Sequence, residues 1–162
     1  MNFCSIDFET ANQKRDSACA IGLVLVRGGV IVEKVSHLIK PPTKEFMFTH
    51  IHGLSWRDVE AAKSFGELWP SIAYLFEGND FMVAHNAPFD LGVLRACLAA
   101  NNIKEPNVNF RCTLKESKTK WPNLPGYKLS DVSAHLGIDL NHHEALSDAL
   151  ACAKIIIAIN KA

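Results

Sequence analysis

Two acids stand two residues apart near the start of the chain, Asp7 and Glu9 in the segment FCSIDFET. If that segment is a strand, side chains alternate across it and both carboxylates project from one face. Two such groups buried together without a cation repel, and one takes up a proton; they suit hard divalent cations, which prefer oxygen ligands. Spacing alone is weak, because 17 acids spread at random over 162 residues give roughly two acid-x-acid pairs. Asp58 and Glu60 form another, but within RDVEAAK they read as a solvated helix face. Asp7 and Glu9 lie instead in an apolar strand expected at the middle of a sheet, where charge is costly without a purpose.

Two further groups carry possible chemistry. HNAPFD, residues 85–90, ends a strand and opens a helix, which sets Asp90 at the carboxyl edge of a sheet. Asp90 could equally serve the helix dipole, Asn86 could be an N-cap, and His85 reads as a structural histidine. Near the C-terminus His142 and His143 precede a helix, and Asp148 follows one turn into it. By local chemistry alone the two histidines are equivalent, and both could simply occupy an exposed loop.

The elements that must position these residues can be read from periodicity. Residues 3–9, 18–27 and 30–38 are strand-like, and Gly28-Gly29 supplies a hairpin turn between the last two. Residues 64–77 have helical spacing despite Pro70, and a strand follows at 80–84. A helix opens near Pro88, with Leu91, Leu94 and Leu98 on one face. A fifth strand is expected at 108–112, a helix at 129–136 ending at Gly137, and a last helix from about residue 144 to 159. Strands first, then strands alternating with helices, predict an α/β sheet that begins antiparallel and becomes parallel.

A length of 162 residues without repeats or linkers predicts one domain, residues 1–162, able to bury about 70% of its unfolded surface. The five cysteines form no ligand or disulfide pattern and read as buried thiols of a reducing, cytoplasmic setting. No export signal or membrane span is evident. With 17 basic and 17 acidic residues the formal charge is zero, so any polyanion must be bound locally. Residues 111–128 are the basic candidate, with Arg111, Lys115, Lys118, Lys120 and Lys128 against Glu116 alone.

Together these motifs resemble the DEDDh exonucleases, the superfamily of the proofreading epsilon subunit of bacterial DNA polymerase III, in its stand-alone form. D-x-E falls at Asp7 and Glu9, the second motif at HNAPFD with Asp90, and H-x4-D at His143 and Asp148. KRDSACAIG, IHGL and LPGYKLSDVSAHLGI are also similar to members of that family. The chain departs from the epsilon type at Ala11 and Asn12, and at Cys19-Ala20-Ile21-Gly22, without losing a ligand.

The resemblance implies a ribonuclease H-like fold, a five-stranded mixed sheet flanked by helices, and a metal-dependent 3′–5′ exonuclease. Two Mg²⁺ or Mn²⁺ ions would be held by Asp7, Glu9, Asp90 and Asp148, with Asp7 shared, and His143 rather than His142 would be the general base. Thr10, Phe89 and the loop Ile51-His52-Gly53-Leu54 would line the pocket for the terminal nucleotide, with Asn86 beside it. The expected partners are 3′ ends of single-stranded DNA, or, as alternatives, short RNA ends or a non-catalytic role in binding such ends. A monomer or simple homodimer without a polymerase- or clamp-binding tail is expected.

Overall fold

The computed structural model describes residues 1–161. In chain order the elements are β1 (Phe3–Thr10), β2 (Ala18–Arg27), β3 (Val30–Leu38), α1 (Thr49–His52), α2 (Trp56–Val59), α3 (Phe65–Ile72), β4 (Phe81–Ala84), α4 (Ala87–Ala100), β5 (Phe110–Cys112), α5 (Thr113–Lys120), α6 (Leu129–Leu136) and α7 (Ala145–Asn160). They build one five-stranded sheet in the order β3-β2-β1-β4-β5. β1, β2 and β3 pair antiparallel, and β4 and β5 continue parallel to β1, so the sheet is mixed as expected. Gly28 and Gly29 both have positive φ, 58° and 80°, the backbone a two-residue hairpin requires.

β1 is the central strand, and its two faces have different tasks. Cys4, Ile6 and Phe8 enter a core with Phe65, Leu68 and Ile72 of α3 and Val93, Leu94 and Leu98 of α4. On the opposite face Phe3 joins Val24, Val26, Ala149, Ala153 and Ile156, the surface where α7 lies on the sheet. Asp7 and Glu9 share that face, beyond Ser5, whose Oγ donates to the Ala149 carbonyl at 2.6 Å. The second face of α7 buries Ala151, Cys152 and Ile155 against Leu129 and Val132 of α6. Each fully buried isoleucine of α7 contributes about 1.5–3 kcal/mol relative to exposure, which holds the helix firmly on the sheet.

Gly22 sets how closely α7 approaches. It pairs with Asp7 across the β1–β2 ladder, and a Cβ there would lie 2.3 Å from the Ala145 carbonyl oxygen and 2.5 Å from the Leu146 nitrogen. Only a residue without a side chain lets the first turn of α7 rest on the β2 backbone directly beside Asp7.

Two local expectations differ from the structure, and one helix is not anticipated. The helix expected over 64–77 is α3 followed by a 3₁₀ turn, Ala73–Phe76; Pro70 has no N–H to donate back along the helix. The basic stretch after Arg111 contains a helix, α5, whose sequence TLKESKTK has no apolar stripe to announce it. Asn86 precedes α4 in the left-handed conformation (φ 60°), but its side chain makes no capping hydrogen bond. All five cysteines are buried and unpaired. Among the described residues no helix is long and apolar enough to cross a membrane.

Candidate active site

Carboxylate oxygens of Asp7, Glu9 and Asp148 lie within 4.8 Å of one another. β1 supplies the first two, and the close seat of α7 on Gly22 delivers the third. Asp58, the decoy of the sequence, lies on α2 and accepts from the Ser55 amide at 2.7 Å as an exposed helix-start residue. Asp90 stands at the edge of the cluster, outside the 4.8 Å group. β4 pairs with β1 only at Phe3–Ser5, and farther along β1 Asp90 accepts the Phe8 N–H at 2.9 Å, tying the first turn of α4 to the strand.

The electrostatics of the four carboxyls are alike in direction. Burial lifts Asp7 well above the usual carboxylate range, and Asp90, Asp148 and Glu9 push it further. Glu9 is raised to about 8 by burial, then by Asp148 and Asp90. Asp90 is raised to about 7 by burial, against the hydrogen bonds it accepts from the Phe8 and Asp90 amides. Asp148 is also raised by burial, opposed by His142 and His143. Buried carboxyls of one sign, with only His142 beside Asp148 as a basic neighbour, cannot all ionise unless a cation compensates them. Asp7 Oδ2 carries the same message, since it is buried with no hydrogen-bond partner among the described residues. An oxygen-only donor set around an unpaired buried oxygen fits divalent cations such as Mg²⁺ or Mn²⁺.

Both histidines sit beside this cluster, in the loop before α7. His142 Nδ1 lies 3.3 and 3.2 Å from the two Asp148 oxygens, and the His143 amide donates to Asp148 Oδ2 at 3.2 Å. The two rings stack with centroids 3.7 Å apart, and His143 has a positive φ of 66°. Desolvation and the neighbouring His142 lower the pKa of His143, so it stays neutral near pH 7. Spacing assigns His142 no role; its proximity to Asp148 depends on the turn at His143, which no spacing rule announces.

Two clefts flank the cluster. Thr10, Phe48 and Phe89 line one of about 250 Å³ together with Asn12, Lys14 and Arg15. Phe89 is 40% exposed and therefore is not a core residue. Phe48, absent from the sequence reading, is held there by Ala11, whose carbonyl accepts from the Met47 and Phe48 amides at 2.7 and 3.1 Å. The other cleft, about 270 Å³, is bordered by Glu9, Ile51, His52, Leu54 and the loop 141–144. His52 has both ring nitrogens engaged: Nε2 donates to the Thr10 carbonyl at 2.9 Å and Nδ1 accepts the Leu54 amide at 3.0 Å. It thus fixes the loop that turns at Gly53 (φ 79°) and leaves Ile51 exposed.

His85 is structural, as read: Nδ1 accepts from Thr113 at 2.8 Å and Nε2 donates to the Tyr127 carbonyl at 2.9 Å. The basic stretch is less available than its composition suggests. Arg111 is paired with Glu116 and lies over the Phe81 ring, and Lys118 lies over Tyr127.

An exonuclease family model, that of ribonuclease T, matches residues 4–156. The chain belongs to this exonuclease family. Its fold is accordingly the ribonuclease H-like exonuclease fold implied by the three motifs. Over 156 residues it is 33% identical to a PolC-type DNA polymerase III of Clostridium perfringens, covering 93% of this chain and 10% of that protein. Over 164 residues it is 32% identical to the 3′-5′ exonuclease DinG of Bacillus subtilis, covering 97% of this chain and 17% of that one. It therefore spans only a small part of these relatives. Exonuclease X, solved in complex with 5′ overhanging duplex DNA, superposes with a TM-score of 0.78 at 26% identity, covering 97% of this chain and 90% of that one.

Proposed function

We propose that this chain is a metal-dependent 3′–5′ exonuclease that removes nucleoside 5′-monophosphates from the 3′ end of single-stranded DNA. The carboxylate cluster, with the unpartnered Asp7 Oδ2 at its centre, carries the reading. Asp7, Glu9 and Asp148, with Asp90 at the edge, would hold two divalent ions, Mg²⁺ or Mn²⁺. When bound, such ions stabilise the attacking and leaving oxygens of an in-line displacement and lower the pKa of the attacking water.

The chain's own residues supply the rest. His143, neutral near pH 7, takes the proton of the attacking water. Phe89 and Phe48 offer apolar faces for the terminal base, and stacking of this kind tolerates any base. Lys14 and Arg15, in the same cleft, can meet the backbone phosphates. Ile51 and Leu54, on the loop pinned by His52, border the other side of Glu9. The 3′–5′ polarity agrees with the name of the 32% identical DinG protein.

The test is digestion of single-stranded DNA, duplex DNA and RNA labelled at either end, in Mg²⁺, Mn²⁺ or EDTA. Mononucleotides should leave the 3′ end, fastest from single-stranded DNA, and EDTA should stop the reaction. Asp7→Ala and His143→Ala should each abolish it in folded protein. Preference for RNA, attack from the 5′ end, or undiminished turnover by either variant would refute the corresponding part of the proposal.

A further inference from the structure

We infer that His142, His143 and Asp148 form a second metal site, one for Zn²⁺, which shares Asp148 with the carboxylate cluster. One ligand atom from each of the three lies within 4.8 Å of the other two. Two imidazoles and one carboxylate make a donor set for a borderline-soft cation, whereas the all-oxygen cluster of Asp7, Glu9 and Asp148 suits a hard one. The one close separation between these ligand atoms admits a tetrahedral ion. Ligands at 2.0–2.1 Å from a tetrahedral zinc stand about 3.3 Å apart, and His142 Nδ1 is 3.2 Å from Asp148 Oδ2.

Backbone geometry supports a constructed arrangement. Consecutive side chains in extended chain point apart, yet these two rings stack at 3.7 Å. The positive φ of 66° at His143 brings this about, a conformation that a non-glycine residue adopts at a cost. Asp148, by contrast, is buried and fixed in the first turn of α7. The histidine loop borders an open cleft, so a cation can enter and keep one position for water.

The functional consequence rests on the exonuclease reading. Zinc bound here would engage both Asp148 and the ring of His143, removing a carboxylate from the hard-metal cluster and the base from the water. Zn²⁺ would then inhibit reaction supported by Mg²⁺, and His142 would set the sensitivity.

The experiment uses the untagged chain of residues 1–162 with Co²⁺ as a spectroscopic probe for Zn²⁺. One equivalent of Co²⁺ should give the intense visible bands of a tetrahedral site, without a thiolate charge-transfer band, and Zn²⁺ should displace it. His142→Ala, a change in a partly exposed loop residue, should lose these bands and bind Zn²⁺ at least tenfold more weakly. Its activity with Mg²⁺ should resist Zn²⁺ by a similar factor. Weak octahedral bands, a thiolate band, or unchanged Zn²⁺ affinity in His142→Ala would overturn the site. Zinc binding without inhibition would overturn its consequence, and the spectra decide the site even if the chain proves not to be a nuclease.

Discussion

Replacing Gly22 by alanine tests the geometry that assembles the cluster without touching any carboxylate. The added Cβ would stand 2.3 Å from the Ala145 carbonyl oxygen, and ordinary contact begins at 3.4 Å, so strand and helix must separate by about 1.1 Å. The obstructing atoms are backbone atoms of the first turn of α7, which cannot rotate away as a long side chain would. Overpacking of this kind costs about 1–3 kcal/mol. At about 2–4 °C per kcal/mol for a chain of this size, Tm should fall by about 2–12 °C. Asp148 lies three residues beyond Ala145 and should move with the turn, opening its distance to Asp7. A misplacement of about 1 Å at a catalytic constellation costs on the order of 10²-fold in rate. Mononucleotide release in Mg²⁺, thermal unfolding and Mn²⁺ titration of the same sample give the three readings. A variant whose Tm falls while kcat/KM and Mn²⁺ affinity stay at the wild-type values would refute the claim that Gly22 places Asp148.

Phe89→Ala should raise KM for single-stranded DNA by a factor corresponding to about 1–3 kcal/mol of stacking, with little change in Tm because the ring is 40% exposed; steady-state kinetics on one oligonucleotide decide it. Arg111→Ala should lower Tm and leave DNA affinity and its salt dependence unchanged, because Arg111 is occupied by Glu116 and Phe81. Stability without divalent ions should depend on pH in a set direction. Glu9, Asp90 and Asp7 hold their protons more tightly folded than unfolded, so their contribution is fully present below the ordinary carboxyl pKa and is lost as pH rises, through about 7 for Asp90 and about 8 for Glu9. Urea unfolding in EDTA should therefore show falling stability from about pH 5 to 8, Mn²⁺ should reverse the fall at pH 8, and Asp7→Asn should flatten it.

Much of the fold was legible because its signals are local. The glycine hairpin, Gly137 at a helix end and the alternation in β1 each act through one or two residues' conformational preferences. Helix α5 escaped because TLKESKTK has no apolar stripe; it is held by position, with Thr113 and Ser117 buried where β5 turns into helix. The carboxylates were legible for a different reason. A charged residue in an otherwise apolar strand conflicts with the hydrophobic pattern around it, and such conflict marks a functional position. Asp58 and Glu60 match the spacing without that conflict, and Asp58 proves to be an exposed helix-start residue.

What the sequence could not reveal arises from contacts between distant elements. The IHGL loop reads as a substrate wall, and the structure adds that His52 engages the Thr10 carbonyl and the Leu54 amide, contacts that tie the loop to β1. Gly22 looks like an ordinary strand residue until α7 is seen resting on it. The tandem histidines show the same limit more sharply. Spacing to Asp148 distinguishes His143 from His142 only by analogy, whereas the fold brings both rings to that carboxylate through a single residue of positive φ. Asp148 thus belongs both to a group of oxygen ligands and to a group with two imidazoles. Which cation it serves is then set by the affinities of the two neighbourhoods and the concentrations of the competing ions, and that competition is what the His142 variant isolates.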